Sequence, residues 1–312
     1  MTTSENNITQ ESRYKPLWKI VRFFLLLIGV MAVEWSIFLI LTTKGIISSP
    51  EKWNPDLLLL LTIIMEGPAI ILVTVFTLRK EHISFRMIGL AFHRQWLREL
   101  WWGFAIGMGL ITAFFLIGTF SGVVNTVWNG LNFGIILIHG GELLLLFGLQ
   151  CFIEELIFRG YPFQLCLGKT NPIFTIMSFS ILFGVLHAFN PDVSWLGVTN
   201  AVFAGVLLSL SFLRIHALWM PIGIHWGWNF AQGFLFSFPV SGMTFPPDMF
   251  STIYKGQEWI SGGSFGPEGS IISMIILTAA SLAILYTQKI QVDESMQYGV
   301  AFPEPEKQED KK

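Results

Sequence analysis

Eight apolar stretches, each close to the length of one bilayer crossing, leave this chain few ways to fold. A run of about 20 apolar residues spans the hydrocarbon layer as a helix, because no other open structure satisfies its own backbone hydrogen bonds there. Such runs extend from Ile20 to Leu41, Leu57 to Leu78, Leu100 to Phe120, Gly141 to Leu165, Ile173 to Phe189, Leu196 to Leu213, Leu218 to Phe236 and Ser270 to Thr287. Of the 312 residues, 53% are hydrophobic and only 13% charged, about half the charged share of soluble domains. The pattern predicts an all-α polytopic membrane protein of about eight transmembrane helices. A polar segment, residues 1–19, precedes one transmembrane domain over residues 20–287, and residues 288–312 read as a disordered tail. The first run lacks the flanks of a cleaved signal peptide and is expected to remain as an anchor.

Positive charge sets the orientation, since cytoplasmic loops collect Lys and Arg. Arg13, Lys15, Lys19 and Arg22 precede or open the first span, and Arg79, Lys80, Arg86, Arg94 and Arg98 follow the second. Lys169 follows the fourth, Arg214 the sixth and Lys289 the eighth, all on one side, whereas residues 121–140 and 190–195 carry no Lys or Arg. Both termini are therefore expected in the cytoplasm. With a net charge of -2 and no basic patch, nucleic-acid binding is excluded. Cys151 and Cys166 lie in or beside apolar runs and read as buried packing residues. Residues 79–99 read as an amphipathic segment on the cytoplasmic interface, with a solvated loop as the alternative, and the Gly- and Pro-rich loop 237–269 leaves the same two readings open.

Chemistry enters through polar groups inside the apolar runs, where an ionisable side chain is costly enough to mark a functional candidate. Glu154, Glu155 and Arg159 occur in the fourth run, His187 in the fifth, and His225 with Asn229 in the seventh. On a helix, Glu155 and Arg159 are about 40° apart, whereas Glu154 points about 100° away from Glu155. Arg159 can thus keep Glu155 ionised and oriented, leaving Glu154 as a candidate general base. Phe183 and His187 share a face in the same way, as do His225 and Asn229, and Phe183 reads as the packing residue that fixes the imidazole. Converging, these groups suit attack of an activated water on a carbonyl. Glu154 would take the proton and His187 would hold or polarise the water, with His225 and Asn229 donating to the oxyanion. A Zn²⁺ held by Glu154, His187 and His225 would serve the same step by another route, and both routes stay open. Glu34 and Glu66 also fall at membrane depth, and His82, His93, His139 and His216 near loops or span ends, where solvated interfacial roles are expected. Gly103, Gly107 and Gly109 permit close helix approach. Two other classes compete: a proton-coupled transporter, for which no repeat symmetry is visible, and a non-enzymatic membrane binding or immunity protein, which would not need Glu154 ionisable.

The series EExxxR (Glu154, Glu155, Arg159), FxxxH (Phe183, His187) and HxxxN (His225, Asn229), each in its own apolar run, resembles the CPBP or Abi family of intramembrane proteases, which includes the type II CAAX prenyl endopeptidases. The resemblance covers a core of about residues 140–235 and implies an eight-helix membrane fold with the motif residues in a cavity. It implies intramembrane endopeptidase activity, by members described both as metalloproteases and as glutamate-dependent hydrolases. The implied partners are the bilayer and a membrane protein or peptide substrate, lipidated in the eukaryotic members. Many prokaryotic relatives act in peptide maturation or bacteriocin immunity, and the expected location here is the plasma membrane of a prokaryote.

Overall fold

The computed structural model describes residues 2–45 and 54–296, the side chains of 2–16 and 295 excepted. Most of the proposed tail, residues 297–312, lies outside the described residues. Ten α-helices are described: α1 (Thr2–Thr43), α2 (Pro55–Lys80), α3 (Trp96–Phe120), α4 (Phe133–Arg159), α5 (Tyr161–Leu167), α6 (Pro172–His187), α7 (Trp195–Ile215), α8 (Trp219–Phe230), α9 (Glu258–Ser261) and α10 (Ile271–Tyr286). The starts follow from the sequence. Asn54, Asn132, Asn171, Ser194 and Ser270 each accept a hydrogen bond from a backbone N–H of the first turn, and Pro55 and Pro172 occupy first helical positions where no N–H is needed. α1 packs on α2, α2 on α4, α6 on α7 and α7 on α10, while α8 runs closely along α3. Large apolar side chains such as Leu39, Phe120 and Ile138 remain exposed around the bundle, which identifies a lipid-facing surface and an integral membrane protein.

Each of the eight apolar runs contains a helix, yet not every helix has the length of a crossing. Five described segments are long and apolar enough: 17–43, 55–80, 96–120, 133–167 and 195–215. α6 and α10 have 16 residues each, or about 24 Å at the α-helical rise, short of a hydrocarbon core of about 30 Å. α8 is shorter still and continues as a π-helical turn, Ala231–Leu235. The helical membrane architecture stands, and the count of eight full spans does not follow from helix length.

Two irregularities position the site. α4 breaks at Gly160, where a Cβ would lie 2.1 Å from the Leu156 carbonyl oxygen, and the chain restarts as α5 with Pro162 in its first turn. The loop 237–269 does not spread on an interface: it folds back over the bundle. Its strand β2 (Phe250–Tyr254) pairs antiparallel with β1 (Val124–Trp128), a small ribbon in an otherwise helical protein. Within the loop Phe238, Phe245 and Met249 are buried. The segment 79–99 is also packed down. Ile88 is fully buried, the Gly89 carbonyl accepts from Leu218 N at 2.9 Å, and Trp219 Nε1 donates to the Ala91 carbonyl at 2.8 Å.

Close approach of α3 and α8 depends on glycine. A Cβ on Gly107 would lie 2.0 Å from the Ile224 carbonyl oxygen, whereas Gly109 faces open space. Gly103 also faces α8, so these small residues serve contact within the chain. Gly107→Ala should therefore lower stability by at least the roughly 1–3 kcal/mol typical of overpacking. Thermal unfolding in detergent, with Gly109→Ala as an unchanged control, is the check.

A charge cluster ties α1 to the end of α2. Lys19 and Arg22 of α1 both donate to the Glu81 carboxylate just beyond α2. Burial alone pushes that carboxyl up, but the two cations outweigh it and hold it below the ordinary carboxylate range. A depressed folded-state pKa contributes stability above the unfolded value, and that contribution is lost as pH falls through the folded one. Glu81→Gln should cost about 1–2 kcal/mol near neutrality and flatten the acid limb of the stability profile, measured as unfolding midpoint against pH.

Candidate active site

The last turns of α4 carry the acidic pair. Arg159 and Glu155 are both fully buried, with Arg159 Nη1 donating to Glu155 Oε1 at 3.0 Å and Nη2 to the Gly205 carbonyl of α7 at 2.9 Å. Glu155 Oε1 also meets His225 Nδ1 of α8 at 3.0 Å. Because that carboxylate already receives the guanidinium, the bond is best formed by Nδ1–H donating, which turns Nε2 outward. His225 Nε2 then lies 3.8 Å from Glu154 Oε2. Glu154 Oε1 accepts from Gln150 Nε2 at 2.8 Å, one turn earlier on α4, while its Oε2 is buried without a hydrogen-bond partner. Each glutamate keeps one unpartnered oxygen, but Glu155 is locked into a buried ion pair with Arg159, whereas Glu154 is held by the neutral Gln150 amide.

α6 ends on His187. Its Nδ1 lies 2.8 Å from the Phe183 carbonyl, so Nδ1–H donates there and Nε2 keeps a lone pair. The Phe183 ring packs on the imidazole at 4.4 Å between centroids, lies 5.0 Å from the Arg159 guanidinium carbon and 6.0 Å from the His225 ring. Asn229, one turn beyond His225, uses one amide N–H toward Cys151 Sγ at 3.6 Å and has a second to offer.

Glu154, His187, His225 and Asn229 all line one cavity of about 870 Å³, whose other walls come from α1, α2, α7 and the loop over the bundle. Glu155 and Arg159 lie behind this wall. Glu66 of α2 also lines the cavity, whereas Glu34 is not among its lining residues. Three contributors escaped the sequence reading. Gln150 was recognisable only as the residue one turn before Glu154. Glu268 and Ser241 reach the cavity from the covering loop, where Glu268 Oε2 accepts from Ser241 N at 2.5 Å and Ser241 Oγ at 3.1 Å. No periodicity in that loop could have announced them.

The histidines expected in solvated positions are not all there. His93 is buried 3.1 Å from Glu99 and 3.6 Å from Asp293, and His139 is buried against the Phe245 carbonyl. Asp293 belongs to the segment after α10, of which Met296 is fully buried. Both cysteines are buried and free.

The donor chemistry of Glu154, His187 and His225 suits Zn²⁺, but their geometry does not. Among the described residues the His, Cys, Asp and Glu group whose donor atoms all lie within 4.8 Å of one another is Asp56, His139 and Glu142. The three cavity residues as arranged do not converge on one ion, and no step is routed through a metal.

Comparison with known proteins identifies residues 140–231 as a match to the family described as type II CAAX prenyl endopeptidase, Rce1-like. No curated protein and no solved structure matches the chain significantly.

Proposed function

We infer that this chain, whose residues 140–231 carry the type II CAAX prenyl endopeptidase Rce1-like signature, is an intramembrane endopeptidase that hydrolyses a peptide bond of a membrane-associated protein or peptide. The observation that carries this reading is the contrast within the acidic pair, a Glu155 ion-paired behind the cavity wall beside a Glu154 that lines the cavity and turns an unpartnered oxygen to His225.

The mechanism runs as follows. Water bound between Glu154 and His187 Nε2 loses a proton to Glu154 as its oxygen attacks the scissile carbonyl carbon. Negative charge moves onto the carbonyl oxygen, where His225 Nε2–H, in the imidazolium form held by Glu155, and the free amide N–H of Asn229 stabilise it. Collapse of the tetrahedral intermediate breaks the C–N bond, and Glu154 returns its proton to the leaving amine. Arg159 acts behind the cavity by fixing Glu155, and through it the ring of His225. The largely apolar cavity suits a substrate segment with apolar side chains or an attached lipid. The disposition of Lys and Arg supports cytoplasmic termini and, in a prokaryote, the plasma membrane.

The test is a mass-spectrometric comparison of protein termini in membranes holding equal amounts of wild type or Glu154→Gln. New termini confined to wild type identify the substrate. Identical termini, with both chains folded, overturn proteolysis in favour of a binding or immunity role.

A further inference from the structure

Asp56, His139 and Glu142 occupy the other end of α4 from the candidate active site. His139 and Glu154 are separated by about 22 Å along the helix at 1.5 Å per residue. Asp56 stands in the first turn of α2, and His139 and Glu142 are spaced i, i+3 on one face of α4 near its start. One donor atom from each lies within 4.8 Å of the other two.

Proximity of acidic groups alone would carry nothing, but two further observations do. Asp56 is only 7% exposed, and its Oδ1 is buried with no hydrogen-bond partner. An unpaired oxygen so deeply buried is expensive unless something outside the protein occupies its lone pairs. His139, 5% exposed, has Nε2 at 2.9 Å from the Phe245 carbonyl. Its Nε2–H donates there, so in the neutral ring the Nδ1 lone pair faces Glu142 Oε2 at 3.8 Å. Lone pairs opposing carboxylate oxygens repel unless a cation lies between them. The bond to a carbonyl is also what a metal-ligating imidazole makes with its second nitrogen to fix ring and tautomer.

We propose that Asp56, His139 and Glu142 form a divalent-cation site, distinct from the catalytic cavity, that clamps the covering loop to α2 and α4. One imidazole and two carboxylates select a borderline transition ion such as Zn²⁺ over Ca²⁺ or Mg²⁺. The clamp acts through Phe245, whose carbonyl holds His139 and whose ring lines the catalytic cavity and packs on Phe147 of α4 at 5.1 Å. Asp248, three residues further along that loop, is within electrostatic reach of His139 and adds to the negative surroundings. The ion therefore couples the outer ends of two helices to the lid of the cavity.

The experiment uses the full chain in nanodiscs, stripped by chelator and titrated with Zn²⁺ alone against a competing dye, with the unfolding midpoint recorded in parallel. Wild type should bind one equivalent more than Asp56→Asn or His139→Gln and gain a Zn²⁺-dependent rise in midpoint that both variants lose, as mass action requires. Glu154→Gln should keep both. Glu142→Gln changes a half-exposed side chain that tolerates substitution, so it reports even where the buried variants misfold. Its Zn²⁺ affinity should fall at least about tenfold. Equal stoichiometry and equal midpoint rise in wild type and the variants, or no Zn²⁺ response in wild type, overturns the site.

Discussion

Glu154→Gln is expected to lower peptide-bond hydrolysis by roughly 100- to 10,000-fold, the range that a positioned general base contributes, with little change in the unfolding midpoint. The substitution keeps shape and keeps an oxygen to accept the Gln150 hydrogen bond. It removes the basic oxygen that faces His225. Stability should hold or rise slightly, because Glu154 Oε2 is buried without a partner and shares the cavity with the Glu66 carboxylate. Substrate affinity should survive for the same reason, so the variant should retain a bound substrate that wild type cleaves. Single-turnover cleavage of a reconstituted peptide, measured with the midpoint on the same preparation, is decisive. A variant that keeps more than about a tenth of the wild-type rate would remove Glu154 from the base's role.

What could be read from the chain beforehand follows from where local spacing governs. The i, i+4 relation of Glu155 to Arg159 is a property of any helix, and the 3.0 Å ion pair is its direct consequence. The same rule puts the Phe183 carbonyl and ring on His187. Asn54-Pro55 and Asn171-Pro172 start α2 and α6 slightly ahead of the apolar runs that begin at Leu57 and Ile173. Contacts between distant segments carried no such signal. Nothing around Gly205 marks its carbonyl as the second acceptor for Arg159, and nothing in the loop marks Glu268 or Ser241 as cavity residues. Hydropathy also overstates length: the run from Leu218 to Phe236 reads as one span, but the structure divides it into α8 and a π turn in which buried Gln232 Nε2 donates to the Pro239 carbonyl at 2.5 Å. His93 and His139 looked interfacial because they flank apolar runs; Glu142 is a local neighbour of His139 on α4, but Asp56 and Asp293 reach these two rings only through tertiary packing.

Arg159→Met should be the most destabilising single change in the molecule, at about 3–5 kcal/mol, the cost of leaving one member of a buried ion pair uncompensated. The guanidinium is fully buried, holds Glu155 on one side and the α7 backbone on the other, and lies over Phe183 of α6. Methionine fills much of the volume, so the loss measures charge and hydrogen bonding more than a cavity. Adding Glu155→Gln should recover a large part of it, since the orphaned carboxylate is gone and the amide oxygen can still accept from His225 Nδ1–H. The double variant should nevertheless hydrolyse slowly: without the negative charge on residue 155 the imidazolium of His225 is less favoured, and it is that form which donates Nε2–H to the oxyanion. A thermodynamic cycle over wild type, both single variants and the double variant, read by unfolding midpoint and by cleavage rate, separates the two roles. Stability that recovers while the rate stays low assigns Arg159 to positioning through Glu155 and His225. A double variant no more stable than Arg159→Met sinks that assignment and makes the Gly205 bond between α4 and α7 the principal contribution.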